Sequence, residues 1–296
     1  MNKLMLLAVL VCFIVVPGSK AFAGAWAMPK GKLYSRLSYN KYEAKKFFDE
    51  DGDTRSSSPG DGRGRHFEYI EDRYTLYLEY GLLENITLLA SIDSKNAEWT
   101  YKRGGIPPVP VEKSAQTNGI GDIQLGVKYQ FFSSDIGVLS LQGLLKTAEA
   151  YDHRHTGDLE IQLGDAQDDY EVRLMYGRSL YPLIPGYCNL ETGYRWRTQD
   201  PADEFKYLAE IGVDVTKMIY LRAKLDGSLD MGNGDDVATL AYDANGNEVE
   251  LGKLELTAGI KLSQQWGCEL SCTNDLYGKN TTKGTTYSFA LTFIGF

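Results

Sequence analysis

Twelve segments of this 296-residue chain alternate apolar and polar residues with a period of two. Successive side chains on a β-strand point to opposite faces, so this pattern specifies strands with one apolar and one polar face. The clearest segment sets Ile123, Leu125, Val127 and Tyr129 against Asp122, Gln124, Gly126, Lys128 and Gln130. Another sets Tyr170, Val172, Leu174 and Tyr176 against Glu171, Arg173, Met175 and Gly177. The other ten centre on residues 32–42, 74–80, 86–93, 139–146, 189–197, 205–214, 221–230, 255–262, 268–273 and 287–293. The 20 Tyr and 9 Pro agree with an all-β chain, which favours aromatics and avoids proline.

A sandwich or a soluble barrel keeps its apolar face inside. A sheet that crosses a bilayer has to pair all its backbone groups, so it closes on itself and turns its apolar face outward. The connections separate the two cases. Short links at 81–85, 132–137, 182–186, 216–218 and 264–267 alternate with long ones at 43–67, 102–118, 150–168, 231–250 and 275–284. Only the link near 200–203 is short out of turn. Tight turns at one end, long loops at the other and an even strand number are the marks of an outer-membrane barrel. Aromatics near strand ends, such as Tyr74 and Tyr80, fit two interfacial girdles. The expected fold is a single antiparallel transmembrane β-barrel of 12 strands over residues 24–296, with short periplasmic turns and long external loops.

The start of the chain points to the same compartment. A basic start at residues 1–3 precedes 13 apolar residues at 4–16, too few to span a bilayer as a helix. Pro17, Gly18 and Ser19 interrupt them, and Ala21-Phe22-Ala23 has the pattern of a signal-peptide cleavage site. Residues 1–23 are therefore expected to be a leader removed on export. Cys12 follows Val11, where lipid attachment needs a small residue, so no lipid anchor is expected. Loss of Lys3 and Lys20 takes the formal net charge from −9 to −11. With no run of Lys and Arg longer than two, the chain has no basic face for nucleic acid. Three cysteines remain: Cys188, Cys268 and Cys272. The last two would share a strand face about 13 Å apart, beyond disulfide reach. They read as buried or lipid-facing thiols.

The chain ends in Phe296, an aromatic as is usual for bacterial barrels, and the barrel-assembly machinery is expected to read it during biogenesis. It is out of phase with Tyr287, Phe289, Leu291 and Phe293, and a bulge at Ile294-Gly295 would restore the phase. Three stretches resemble segments of a known group. They are Gly24-Ala25-Trp26-Ala27-Met28-Pro29-Lys30-Gly31, then Gly119-Ile120-Gly121-Asp122-Ile123-Gln124-Leu125-Gly126-Val127-Lys128-Tyr129, and finally the run from Asp168 to Ser179. They are similar to the outer-membrane channel family named for the meta-pathway of phenol degradation. The resemblance implies a 12-strand barrel and the passage of small solutes, aromatic compounds among them.

The polar faces of segments six to nine carry Glu171, Arg173, Glu191, Arg195, Arg197, Lys206, Glu210, Asp214, Arg222, Lys224, Asp226 and Asp230. With Lys128 added and Lys206 and Asp230 set aside, these are the eleven candidate lumen-lining residues. Facing rows of acid and base can set a transverse field across a constriction. The same residues can instead pair across strands and plug a narrow bore. In an open pore, Arg173, Arg195, Arg222 and Lys224 would form an anion-attracting wall opposed by Glu191, Glu210 and Asp226.

Sites for chemistry are sparse. His153 and His155 beside Asp152 and Asp158 are two of the ligands a metal needs, in a long loop, and read as solvated residues. Asp49-Glu50-Asp51-Gly52-Asp53 hints at a calcium loop, but position 12 is Gly60 rather than Glu, so a solvated turn is expected. A membrane hydrolase needs a histidine beside a nucleophile. His66, His153 and His155 all fall in expected loops, and no G-x-S-x-G elbow occurs. Ile106-Pro107-Pro108-Val109-Pro110 reads as a surface loop. No enzyme, metal or cofactor is expected. No plug domain precedes the first strand, so energy-coupled uptake is not expected. The expected function is passive uptake of small solutes, aromatic or hydrophobic compounds included, with outer-membrane lipid as the surrounding partner. The alternative is a sealed structural or surface-recognition barrel.

Overall fold

A computed structural model describes residues 24–56, 65–103, 111–150, 161, 163–165, 167–235 and 247–295. The leader, His153 and His155, the proline-rich stretch and Phe296 lie outside them. The described chain is all β. Its strands are β1 (Leu33–Phe48), β2 (Thr54–Ser56), β3 (Arg65–Leu83), β4 (Ile86–Arg103), β5 (Val111–Ser134), β6 (Gly137–Thr147) and β7 (Asp169–Ser179). They continue as β8 (Gly186–Arg197), β9 (Glu204–Asp214), β10 (Ile219–Asp230), β11 (Glu250–Lys261), β12 (Trp266–Lys279) and β13 (Thr281–Gly295). Each barrel strand pairs antiparallel with the next, and β13 returns to pair with β1. The sheet is thus a closed barrel of 12 strands, and β2 is a three-residue arm on the end of β1.

Burial runs opposite to that of a soluble barrel. Leu37, Leu76, Leu125, Leu141, Leu174, Leu221, Leu256 and Phe289 are exposed on the outer face. Lys128, Glu171, Glu79, Asp169 and Glu269 are almost fully buried inside. The three free thiols follow the outer phase. Cys188 pairs with Ile211, Cys268 with Ile260 and Leu291, and Cys272 with Leu256 and Tyr287.

Composition gains a physical reason here. At several places a tyrosine ring lies over a glycine of the neighbouring strand. A Cβ on Gly212 would lie 2.4 Å from the Tyr187 ring, one on Gly259 2.0 Å from Tyr220, and one on Gly252 2.2 Å from Tyr277. The missing side chain gives the ring a seat flush against the backbone, so glycine and tyrosine are needed together.

Several expectations need correction. The links expected to be long are shortened because strands continue beyond the alternating segments. The β1 strand runs to Phe48, β4 to Arg103 and β5 starts at Val111. His66 is consequently on β3, opposite Lys102, rather than in a loop. The link expected at 275–284 begins where the β12–β13 ladder stops, at Asn274 opposite Thr285, but its residues stay in strands by pairing with β11 and β1 on either side of a bend at Asn280, whose φ of 52° is left-handed. Asparagine tolerates that conformation, and the polar repeats on either side pair as strand. No bulge occurs at Ile294-Gly295. Phe293, Ile294 and Gly295 stay in register with Ser35, Tyr34 and Leu33, because the closing ladder already pairs each residue. Asp49 does form a turn, its Oδ1 accepting from the backbone N–H of Asp51 and Asp53.

An outward leucine in hydrocarbon and one in water respond differently to charge. Leu125→Arg is expected to destabilise the bilayer-embedded barrel by about 2–4 kcal/mol, as on the lipid face of other barrels. Urea unfolding in lipid vesicles reads this. No loss of stability would mean that this face meets water.

Candidate functional site: the barrel interior

The inward side chains come from alternate positions of all 12 barrel strands, and many are charged. Charges withdrawn from bulk water must find partners, and those partners are in place. On β10, Arg222 stands among three carboxylates. Its Nη2 is 3.1 Å from Glu255, its Nη1 3.3 Å from Glu269 and its Nε 3.7 Å from Glu210. Glu269 also takes Arg36 Nε at 3.0 Å and the Tyr220 hydroxyl at 2.7 Å. Glu210 accepts from the Tyr187 hydroxyl at 2.8 Å and from Asn189. Lys224 lies 3.4 Å from Glu255 and 3.6 Å from Asp226.

A second network spans β7 to β9. Glu171 pairs with Arg173 and, at 2.8 Å, with Arg195. Arg173 reaches Glu191 at 3.0 Å, and Arg195 reaches Glu204 at 3.3 Å. Lys206 shares Glu204. Asp214 is joined to Lys261 at 2.7 Å. The eleven lumen candidates thus all make ionic contacts inside the barrel. They are interleaved as acid–base alternations rather than arranged as a basic wall facing an acidic one. Glu255, Glu269 and Arg36 belong to the same networks, and Glu79 pairs with Lys128. The alternation phase places them inward, so the signal for them lay in the same strands.

The short-turn end is filled by residues 24–31. The backbone N–H of Met28 donates to Thr87 Oγ1 at 2.8 Å, and that of Ala27 to Gln130 Oε1 at 2.8 Å. Lys128 Nζ donates to the Gly24 carbonyl at 2.8 Å and pairs with Glu79 at 3.0 Å. Ser140 Oγ donates to the Ala25 carbonyl. Ala25 packs with Val138 and Met175, and Trp26 lies against them. The Trp26 ring meets Tyr187 edge-on, centroids 6.0 Å apart. Gly177 makes room for it, since a Cβ there would lie 2.7 Å from the indole. A segment outside the strands thus obstructs one end. Alternation carries no signal for it, although the segment was conspicuous in sequence.

At the other end residues 163–165, from the β6–β7 connection, reach into the interior. Leu163 packs where side chains at Gly119 and Gly121 would otherwise stand. Asp165 Oδ2 joins Arg197 Nη2 at 2.7 Å and also Lys146. Burial favours the neutral acid, but Asp122, Lys146 and Arg197 outweigh it and hold Asp165 down at about 2. Among the described residues, no three His, Cys, Asp or Glu side chains are grouped as a metal site.

Arg222→Met would leave Glu210, Glu255 and Glu269 close together without their shared cation. Breaking a buried pair in this way costs about 3–5 kcal/mol. The expected result is a matching drop in unfolding free energy in vesicles, with a smaller one for the more exposed Lys224→Met. Equal small effects would mean that the networks are well hydrated.

Comparison with known proteins bears on this architecture. No family model and no curated protein matches the sequence. Among solved structures, an outer membrane channel from Pseudomonas putida F1 superposes with a TM-score of 0.63 at 16% identity, over 95% of this chain and 100% of that one. The NanC porin gives 0.49 at 10% identity, over 88% and 98%. The translocator domain of the autotransporter NalP from Neisseria meningitidis gives 0.48 at 13% identity, over 90% and 89%. These likenesses concern the barrel fold.

Proposed function

We propose that this protein is a passive outer-membrane channel for small solutes, aromatic or hydrophobic compounds among them, exported by a cleaved leader. The observation that carries this reading is the everted barrel. Its apolar outer face suits hydrocarbon, and its polar interior has no use in a water-soluble protein of this shape. Similarity to the Pseudomonas putida channel supports it, as does the sequence resemblance to the meta-pathway channel family. The expected lining is Lys128, Glu171, Arg173, Glu191, Arg195, Arg197, Glu210, Asp214, Arg222, Lys224 and Asp226. Acid and base alternate along it, so it discriminates among ions less than a single-sign ring would.

The interlocked ion pairs and the segment at 24–31 favour a second reading, a sealed barrel whose outer connections bind a partner. The two readings differ in what happens when that segment is gone. It is held by a few hydrogen bonds and one apolar cluster, so it is removable without touching a strand. In the channel reading, planar-bilayer recordings of the refolded protein show small discrete steps. Deletion of residues 24–30 then raises the step size at least threefold. Silence from both forms, with folding shown by heat-dependent gel migration, would favour the sealed barrel.

A further inference from the structure

In the charge networks described above, one ion-pair partner does not come from a strand. Lys146 on β6, Asp169 on β7 and Arg197 on β8 stand in one row across three neighbouring strands. Lys146 and Arg197 are each only 9% exposed. Asp169 lies between them, pairing with Lys146 and lying 3.6 Å from Arg197 Nε. That distance is too long for a hydrogen bond, and Arg197 Nε has no hydrogen-bond partner. Lys146 Nζ, which also lies 3.8 Å from Asp122 Oδ2, and Arg197 Nη2 both reach a single oxygen, Asp165 Oδ2. Asp165 belongs to the β6–β7 connection, and its side chain is 37% exposed. It enters the barrel beside Leu163, which rests over Gly119 and Gly121.

An ammonium and a guanidinium converging on one carboxylate oxygen form a recognition geometry for carboxylates, with charge-assisted hydrogen bonds stronger than neutral ones. We propose that Lys146 and Arg197 form a carboxylate-binding subsite at the long-connection end of the barrel interior. Asp165 occupies it as an internal ligand, and a small organic carboxylate takes its place when the Asp165 side chain leaves. This names a solute class for the proposed channel and rests on that reading for its role, but the subsite itself can be measured without transport. A tethered competitor acts at an effective concentration on the order of millimolar. It lowers the apparent affinity for a free carboxylate by the fraction of time the site is vacant.

The test uses the full-length refolded protein in detergent, with benzoate as probe and benzyl alcohol as its uncharged counterpart, in equilibrium dialysis. Asp165→Asn keeps the shape of the side chain and removes its charge. It is expected to bind benzoate at least tenfold more tightly than the wild type. The gain is expected to vanish in Asp165→Asn/Arg197→Gln and in Asp165→Asn/Lys146→Gln, so one folded double variant suffices. Benzyl alcohol binding stays the same in all forms. Equal benzoate binding by wild type and Asp165→Asn overturns the subsite. So does a gain that survives loss of either cation, or an equal gain for benzyl alcohol. Liposome flux of benzoate is measured on the same preparations. A binding gain with no flux in any form overturns the channel and leaves the subsite standing. Flux without the gain overturns the subsite alone.

Discussion

In hydrocarbon a backbone N–H or C=O without a partner costs several kcal/mol, and a sheet in that setting cannot keep an edge. The pairing of β1 with β13 removes the edge here, with Leu37 opposite Leu291 and Tyr39 opposite Phe289 along it. Much else in the structure depends on that closure. With the apolar positions committed to the outer face, the other half of every strand turns into an enclosed, narrow space. Those side chains are polar and many are charged, so the interior is organised by electrostatic pairing rather than by apolar packing.

The pairing carries specificity more than raw stability. A buried ion pair is often no better than an apolar pair of the same shape, while losing one partner is strongly unfavourable. Arg222 with its three carboxylates shows how this constrains the barrel. Glu210, Glu255 and Glu269 come from β9, β11 and β12, and a one-residue slip on any of them would move its carboxylate to the lipid side. The tyrosines add to this register control. The Tyr187 ring is seated over Gly212 while its hydroxyl donates to Glu210, and Tyr220 does the same with Gly259 and Glu269. Each ring thus ties a backbone position to a carboxylate.

The barrel was legible in the sequence because strand periodicity is a local property. Leu125 and Val127 against Gln124 and Lys128 specify two faces whatever the neighbours are. Phase also places Glu171, Arg195 and Arg222 inward. It does not say whether opposite charges will face or interleave, because that depends on register between strands. Residues 24–31 and Asp165 were not legible as parts of the interior. They lie outside the alternating segments, and their positions are set by distant contacts such as Ser140 with Ala25 and Arg197 with Asp165. The strand extensions were missed for the opposite reason. Residues beyond the hydrocarbon, such as those around Asn96 and Gln116, pair as strand without needing an apolar face.

The two ends of the barrel interior differ in kind. The short-turn end is filled by a segment with apolar anchors, and at the other end residues 163–165 reach in and are held through the Asp165 carboxylate. Both depend on the everted arrangement of faces, and the chain carries its own probes of it. Cys268 and Cys272 lie on the outer phase of β12, between Leu291 and Ile260 and between Tyr287 and Leu256. The most direct measurement is the reaction of these thiols, in protein folded into lipid vesicles, with a charged water-soluble maleimide and with a bilayer-soluble one. The everted barrel predicts modification by the bilayer-soluble reagent and protection from the charged one until the protein is unfolded. Rapid modification of both thiols by the charged reagent in the folded state would contradict it.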